Sequence, residues 1–183
     1  MERVDHYDIE GIDLISYSYK DDNRGSFSNL APLGDLFKTF GVGSSLAVSK
    51  NPTAGTLRGL HFQLHPFAQM KFVTCVAGSV FDVVVDLRPH SRTYGKWAGR
   101  VLTLEDCISL VIPPGLAHGF QTIEPESILL YGISAQHSAE KSRTLSYLEL
   151  ENEWPLAITE ISNNDAAGLK LLQCLNLFDE RWQ

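Results

Sequence analysis

The chain has 183 residues, of which 44% are hydrophobic and 20% charged, and its formal net charge is −7. This composition supports a buried core and excludes a disordered chain, and we expect a single domain over residues 1–183. The acidic balance argues against nucleic acid as a partner. No apolar run approaches the ~20 residues of a membrane helix, so no membrane partner is expected.

The cysteines and the N-terminal segment favour a reducing compartment. The three cysteines are odd in number, widely spaced and without a CxxC pair: Cys75, Cys107 and Cys174. A disulfide scaffold or a structural zinc site is therefore not expected. The first residues are polar and acidic, unlike a signal peptide. Together these features predict a cytoplasmic protein.

In chain order, the predicted elements begin with a short helix near residues 32–40. Two β-branched segments follow, at Phe72–Val76 and Val80–Leu87. The turn signal Ala77-Gly78 between them predicts that the two strands form a hairpin. The second strand carries Asp82 and Asp86 on one face and apolar residues on the other, so we expect it to separate a core from a wet cavity.

Three further strands are predicted at residues 97–102, 108–112 and 127–131. A short helix is predicted near residues 165–174, with Asp165 placed to cap its N-terminus. Strands at this spacing, with glycine and proline between them, are typical of an antiparallel sandwich or barrel. The predicted fold class is therefore all-β.

Two segments concentrate side chains that can do chemistry, and their spacing resembles the two cupin motifs. In the first motif a glycine precedes a histidine pair and a glutamate, and in the second PxG precedes a histidine. The matching positions are Gly55, His61, Gly78, Pro113, Gly115 and His118. Gln63 replaces the second histidine of the pair, and Lys71 replaces the glutamate. Because glutamine is a poor ligand and a protonated lysine repels cations, neither a metal nor another cofactor is expected.

A longer set of motifs resembles the dTDP-4-dehydrorhamnose 3,5-epimerase family, from about Asp22 to Leu172. The set comprises RGLHFQ at 58–63, QxK at 69–71, VFDVVVDLR at 80–88, SxTYGxW at 91–97 and IPPGLAHGF at 112–120. The resemblance implies a cupin fold, a double-stranded β-helix (jelly-roll) barrel with a few short peripheral helices. It also implies metal-independent catalysis, a homodimer in which strands are shared between subunits, and a nucleotide-diphosphate-linked 4-keto-6-deoxyhexose as substrate.

The same resemblance implies roles for individual residues. A C4 ketone acidifies the C–H bonds at C3 and C5, so epimerisation needs a base on one face, an acid on the other and a donor to the enolate oxygen. His61 paired with Asp165 matches the base, Tyr131 the acid, and Lys71 the group that stabilises the enolate. Arg24 and Arg58 match arginines that hold the diphosphate, for which the planar guanidinium group is suited. Four other residues match positions that contact the substrate: Phe27, Gln63, His118 and His137.

Structural alternatives exist for each catalytic residue. His61 taken alone is compatible with a histidine that only makes structural hydrogen bonds within a strand, and Lys71 with a structural ion pair to Asp82. Tyr131 is compatible with a packing role in its strand, and Asp165 with the cap of a helix.

Several positions of the family's recognition residues are altered in this chain: Asn29, Leu46, Val48, His137 and Tyr147. These changes spare the residues matched to catalysis, so the reaction type is better supported than the sugar nucleotide. A monofunctional 3- or 5-epimerase of another deoxysugar pathway remains an alternative, as does a sugar-nucleotide-binding cupin without turnover. A metal-dependent cupin oxygenase is disfavoured by Gln63 and Lys71.

Overall fold

The computed structural model describes residues 1, 3, 7–30, 40, 44–150 and 152–178. Strands are the main regular elements of the described chain, and its helices are short. The elements are β1 Asp13–Ser16, β2 Lys20–Asp22, β3 Gly25–Phe27, β4 Ser45–Asn51, β5 Thr56–Gln63, β6 Lys71–Ala77, β7 Ser79–Asp86, β8 Trp97–Thr103, β9 Ile108–Ile112, β10 Leu116–Thr122, β11 Ser127–Ile133, β12 Ser142–Thr144, the 3-10 helix Tyr147–Leu150, β13 Glu160–Ile161, α1 Asn163–Ala166 and α2 Leu171–Leu175.

The strands form two large sheets and one small hairpin. One sheet has the order β1-β9-β6-β11-β4, and the other has the order β12-β5-β10-β7-β8 with β13 also paired to β5. All of these pairings are antiparallel except that of β13 with β5. Among the described residues, strands β2 and β3 pair only with each other. The all-β prediction is therefore confirmed. No helix in the described part of the chain is long and apolar enough to cross a membrane.

The hairpin predicted around Ala77-Gly78 is wrong. Strand β6 pairs with β9 and β11 in the five-stranded sheet, whereas β7 pairs with β8 and β10 in the other sheet. The turn between them therefore carries the chain from one sheet to the other. A turn signal locates a reversal of the chain, but it does not determine the strand that the next segment pairs with.

Strand β7 lies between two apolar clusters, so the prediction of one wet face is also wrong. All eight of its residues are buried. Val80 and Val84 pack with residues of both sheets, in the core between them. Phe81, Val83 and Val85 pack on the opposite face, against the C-terminal segment that includes Leu150 and Phe178. The acidic face of β7 is buried, and its carboxylates are bonded to neighbouring side chains.

The two predicted helices have different outcomes. The helix expected near residues 32–40 lies outside the described residues apart from Phe40, which is helical and buried. In the region of residues 165–174 the structure has two separate short helices in place of one. The N-cap of α1 is Ser162, whose hydroxyl accepts a hydrogen bond from the Asp165 amide at 3.1 Å.

A bulge in β5 brings two functional candidates onto one face of the sheet. His61 lies opposite His118 on β10, and Arg58 lies opposite Phe120, so three steps along β5 match two along β10. Strict alternation would place Arg58 and His61 on opposite faces. The extra residue in β5 brings Arg58 back to the face that carries His61. Gly59, at φ +111°, adopts the positive-φ backbone that the bulge requires.

We expect Gly119→Ala to destabilise the protein by about 2–3 kcal/mol, because the space beside β5 is already filled. A Cβ atom at Gly119 would lie 2.6 Å from the Arg58 carbonyl oxygen and 3.2 Å from the Gly59 Cα atom. Urea denaturation measures the change. The matched control is Gly95→Ala, where no atom lies within 4 Å of the added Cβ and only the positive φ costs about 1 kcal/mol. Equal losses for the two variants would contradict the steric argument.

Candidate active site

A cavity of about 770 Å³ is lined by strands of both large sheets. Its volume is in the range of small-molecule sites. Strands β5 and β10 supply one wall, and β4, β6 and β11 supply the other. Eight residues predicted from the sequence as functional line it together: Arg58, His61, Gln63, Lys71, His118, Tyr131, His137 and Asp165. His137 lies on the loop after β11.

His61 and Asp165 form a hydrogen-bonded pair on the cavity wall. Nε2 of His61 lies 2.6 Å from Oδ1 of Asp165, and the second carboxylate oxygen accepts the Gly59 amide at 3.1 Å. The His61 side chain is 45% exposed, whereas that of Asp165 is 6% exposed. If Nε2–H donates to the carboxylate, the neutral ring presents Nδ1 as a free base.

The Asp165 carboxylate serves His61 and does not cap a helix. Burial raises the pKa of Asp165, but hydrogen bonds to His61 and the Gly59 amide outweigh burial and hold it below the ordinary value. The carboxylate is therefore ionised at neutral pH. The cap proposed as an alternative from the sequence is supplied by Ser162.

Lys71 places an ammonium group inside the cavity. Its Nζ donates a hydrogen bond to the His61 carbonyl oxygen at 3.1 Å. Burial lowers the pKa of Lys71 to about 8, partly opposed by the negative charge of Asp82. The alternative of a Lys71–Asp82 ion pair is not observed, because Asp82 is bonded to other side chains.

His118 and Asp82 form a second, more deeply buried pair. Nε2 of His118 lies 2.7 Å from Oδ2 of Asp82, and the two side chains are 3% and 0% exposed. The hydroxyl of Tyr7 donates to Oδ1 of Asp82 at 2.7 Å. Asp82 was expected on this strand face, whereas Tyr7 was not expected at the site, because its position depends on how the N-terminal segment packs.

Tyr131 lies on β11, in the sheet opposite His61. Its ring meets that of His118 edge to face, with 6.1 Å between the ring centroids. Burial, with a smaller effect from the charge of Asp82, raises the pKa of Tyr131 far above the usual value of a phenol. The hydroxyl is therefore protonated at neutral pH. His61 and Tyr131 thus present a base and a proton donor from opposite walls of one cavity.

Gln63 is engaged with the backbone of two loops. Its amide nitrogen donates to the carbonyl oxygens of Phe67 and Gln136, at 2.6 and 3.2 Å, and its amide oxygen accepts the Ser138 amide at 2.8 Å. These contacts bracket His137 on the second loop. Gln63 is 4% exposed, so it holds the rim of the cavity in place.

Arg24 and Phe27 lie on the β2–β3 hairpin, outside the cavity lining of the same chain. The Arg24 side chain is 84% exposed and bonded to Asp22 at 2.6 Å, and Phe27 is 65% exposed. Of the altered positions, Val48 and His137 line the cavity. Tyr147 lines a separate cavity of about 280 Å³ with Trp154.

The fold and the cavity define a cupin-type protein whose site carries paired histidine and carboxylate side chains, a lysine and a tyrosine. The described residues contain no cluster of three or more His, Cys, Asp or Glu arranged to hold a metal ion. A family model described as dTDP-4-dehydrorhamnose 3,5-epimerase matches residues 6–173. The chain belongs to this family.

Curated relatives agree with that assignment. A dTDP-4-dehydrorhamnose 3,5-epimerase of Sinorhizobium fredii is 45% identical over 122 residues, which cover 65% of this chain and 63% of that protein, just under two thirds of its length. One of Mycobacterium tuberculosis is 39% identical over 171 residues, covering 88% and 83%. A dTDP-4-dehydrorhamnose 3-epimerase of Streptomyces niveus is 34% identical over 169 residues, covering 90% and 82%.

A solved structure has the same fold. The dTDP-6-deoxy-D-glucose-3,5-epimerase of Legionella pneumophila, crystallised in complex with dTDP-4-keto-L-rhamnose, superposes with a TM-score of 0.78. It is 31% identical, and the match covers 93% of this chain and 91% of that one. The cupin prediction made from the sequence motifs is confirmed.

The buried ammonium group predicts a pH dependence of stability. Because the pKa of Lys71 is about 8 in the folded protein and ~10.4 when unfolded, the unfolded state binds more protons between these values. The unfolding free energy of the wild type should therefore rise by roughly 2 kcal/mol relative to Lys71→Met between pH 8 and 10.

Denaturant titrations of both proteins at several pH values provide the measurement. Burial raises the pKa of the thiols of Cys75 and Cys174, which oppose the effect equally in both proteins and cancel in the difference. A difference that does not change with pH would contradict the buried charge.

Proposed function

We propose that this chain epimerises a nucleotide-linked 4-keto-6-deoxyhexose without a metal, at C3 and C5, and that the substrate is dTDP-4-dehydro-6-deoxyglucose, converted to dTDP-4-dehydrorhamnose. The observation that carries the proposal is the placement of His61 and Tyr131 on opposite walls of one cavity. Inversion at a carbon beside a ketone needs this arrangement, because the proton leaves one face and returns to the other.

In the proposed reaction, Nδ1 of His61 removes the proton from C3 or C5, and the electron pair moves into an enolate whose oxygen is the former C4 carbonyl. The Asp165 carboxylate stabilises the imidazolium that forms and fixes the ring. The ammonium group of Lys71 stabilises the enolate charge, and with a pKa of about 8 it remains charged at neutral pH.

Collapse of the enolate completes the inversion. The Tyr131 hydroxyl donates its proton to the opposite face of the same carbon, which restores the C4 ketone. The tyrosinate formed is costly because the phenol is buried, and the positive charge of Arg58 offsets part of that cost. Solvent then returns a proton to Tyr131 and removes one from His61, and the enzyme is ready for the second centre.

We further propose a homodimer of cupin domains, each spanning residues 1–183. Three large apolar side chains on β3 and β4 are strongly exposed in the single chain: Phe27, Leu46 and Val48, at 65%, 78% and 57%. Strand β4 is the last strand of its sheet, and its backbone can pair further. A second copy would cover this surface and bring Arg24 and Phe27 of the hairpin into its partner's cavity, beside the nucleotide.

The three cysteines are free in the structure, which supports the proposed cytoplasmic location.

A 3-epimerase is the second candidate function. The Streptomyces niveus relative carries that name and aligns over 90% of this chain. His137 lines the cavity where the family pattern has a tyrosine. His137 lies at the rim of the cavity, where a changed side chain would affect how the sugar reorients between reaction at C3 and reaction at C5.

Proton NMR in deuterated water with dTDP-4-keto-6-deoxyglucose tests the proposal. We expect solvent deuterium at both C3 and C5, and His61→Ala should slow exchange about a thousandfold while the protein still binds dTDP. Label at C3 alone supports the second candidate. Absence of exchange in the wild type, with dTDP still bound, would identify a sugar-nucleotide-binding protein without turnover.

Tyr131→Phe separates exchange from inversion. Phenylalanine keeps the ring and its packing against His118 and removes only the hydroxyl donor. We expect slow deuterium exchange with retention of configuration, because His61 can return solvent hydrogen to the face from which it took the proton. The same NMR experiment follows both label and configuration. Normal inversion by the folded variant would show that Tyr131 is not the acid.

A further inference from the structure

We propose that Asn51, at the end of β4, is a positioning residue that orients the guanidinium group of Arg58 toward the diphosphate of the ligand. The Asn51 Oδ1 atom accepts a hydrogen bond from Nε of Arg58 at 2.7 Å. Asn51 is 1% exposed, whereas Arg58 is exposed and lines the cavity. A buried amide therefore holds a cation that faces the ligand site. The inference rests on the proposed function, since it takes the ligand to be a nucleoside diphosphate.

The Asn51 side chain is itself held by the backbone of two strands. Its Nδ2 atom donates to the carbonyl oxygens of Ser127 and Ser49, at 3.1 and 3.3 Å, and the Ser49 hydroxyl donates to Oδ1 at 3.2 Å. With both amide hydrogens directed to β4 and β11, the oxygen has one orientation, toward Arg58. The amide cannot flip without losing these bonds.

The use of Nε determines which donors of Arg58 remain available. A guanidinium group has five N–H donors in a planar fork, and Nε carries only one of them. Within the described part of the chain, no hydrogen bond from either Nη atom of Arg58 is present. The two Nη groups are therefore left as an outward-facing pair, which matches the spacing of two oxygens of a phosphate.

The energetic benefit of this contact is conformational. An arginine side chain on a cavity wall has many rotamers, and ordering it on binding costs free energy. The bond to Asn51 removes part of that cost before the ligand arrives. Loss of Asn51 should therefore weaken the binding of the diphosphate, and it should leave the reacting groups around His61 unchanged.

A double-mutant cycle on dTDP affinity tests the inference, with calorimetry as the measurement. We expect Arg58→Ala to weaken dTDP binding roughly 30-fold and Asn51→Ala about fivefold. In the Arg58→Ala background, Asn51→Ala should have no further effect, because its influence passes through the arginine. For the substrate, Asn51→Ala should raise KM by a larger factor than it lowers kcat, because Arg58 also offsets the charge on Tyr131.

Two controls separate positioning from a loss of structure. Ser127→Ala removes hydroxyl bonds to Ser79 and Glu124 at the same edge of the fold, and it should lower stability without changing dTDP affinity. If Asn51→Ala folds poorly, Asn51→Ser replaces it in the experiment. This variant removes the amide with a smaller disturbance of the strand, and we expect the same loss of dTDP affinity.

The outcomes distinguish this inference from the proposed function. Additive effects of Asn51→Ala and Arg58→Ala, or an unchanged affinity in Asn51→Ala while Arg58→Ala weakens binding, would overturn the positioning role alone. An unchanged dTDP affinity in Arg58→Ala would overturn the inference together with the placement of the diphosphate. In either case, exchange at C3 and C5 by the wild type still decides the proposed reaction.

Discussion

The close packing of β5 against β10 is the constraint on which the cavity depends. Gly119 leaves no room for a side chain beside the Arg58 carbonyl, and Gly59 takes a positive φ at the bulge. The bulge places Arg58 and His61 on the same wall, and the Gly59 amide donates to the carboxylate that holds His61. The contact between β5 and β10 therefore positions Arg58, the candidate base His61 and its carboxylate partner together.

Local patterns predicted the strands well, and they failed where long-range pairing decided the outcome. The predicted segment 108–112 coincides with β9, and those at 97–102 and 127–131 begin where β8 and β11 begin. The pairing of β6 and β7 was wrong because the turn between them changes sheet. The wet face of β7 was wrong because Asp82 and Asp86 are fully buried and bonded to side chains from other parts of the chain or the following loop, and no local alternation contains that information.

The site shows a similar division. Motif spacing identified His61, Lys71, His118 and Tyr131, which fold onto one cavity from four strands. Asn51 gave no signal, because its role comes from a cross-strand neighbour on β11 and from the bulge that places Arg58 on the cavity wall. A residue that acts through another side chain has no motif of its own, and only the geometry reveals it.

The two histidine–carboxylate pairs in the cavity are chemically alike, and their surroundings separate their uses. His118 is almost fully enclosed, and its carboxylate partner is also bonded to Tyr7, so a charge on that ring would be fixed far from solvent. His61 is nearly half exposed, and its carboxylate partner is anchored by the Gly59 amide. A general base must reach substrate on one side and exchange protons with water between turnovers. Exposure therefore favours His61 as the base, and burial suits His118 to shaping the wall against which Tyr131 packs.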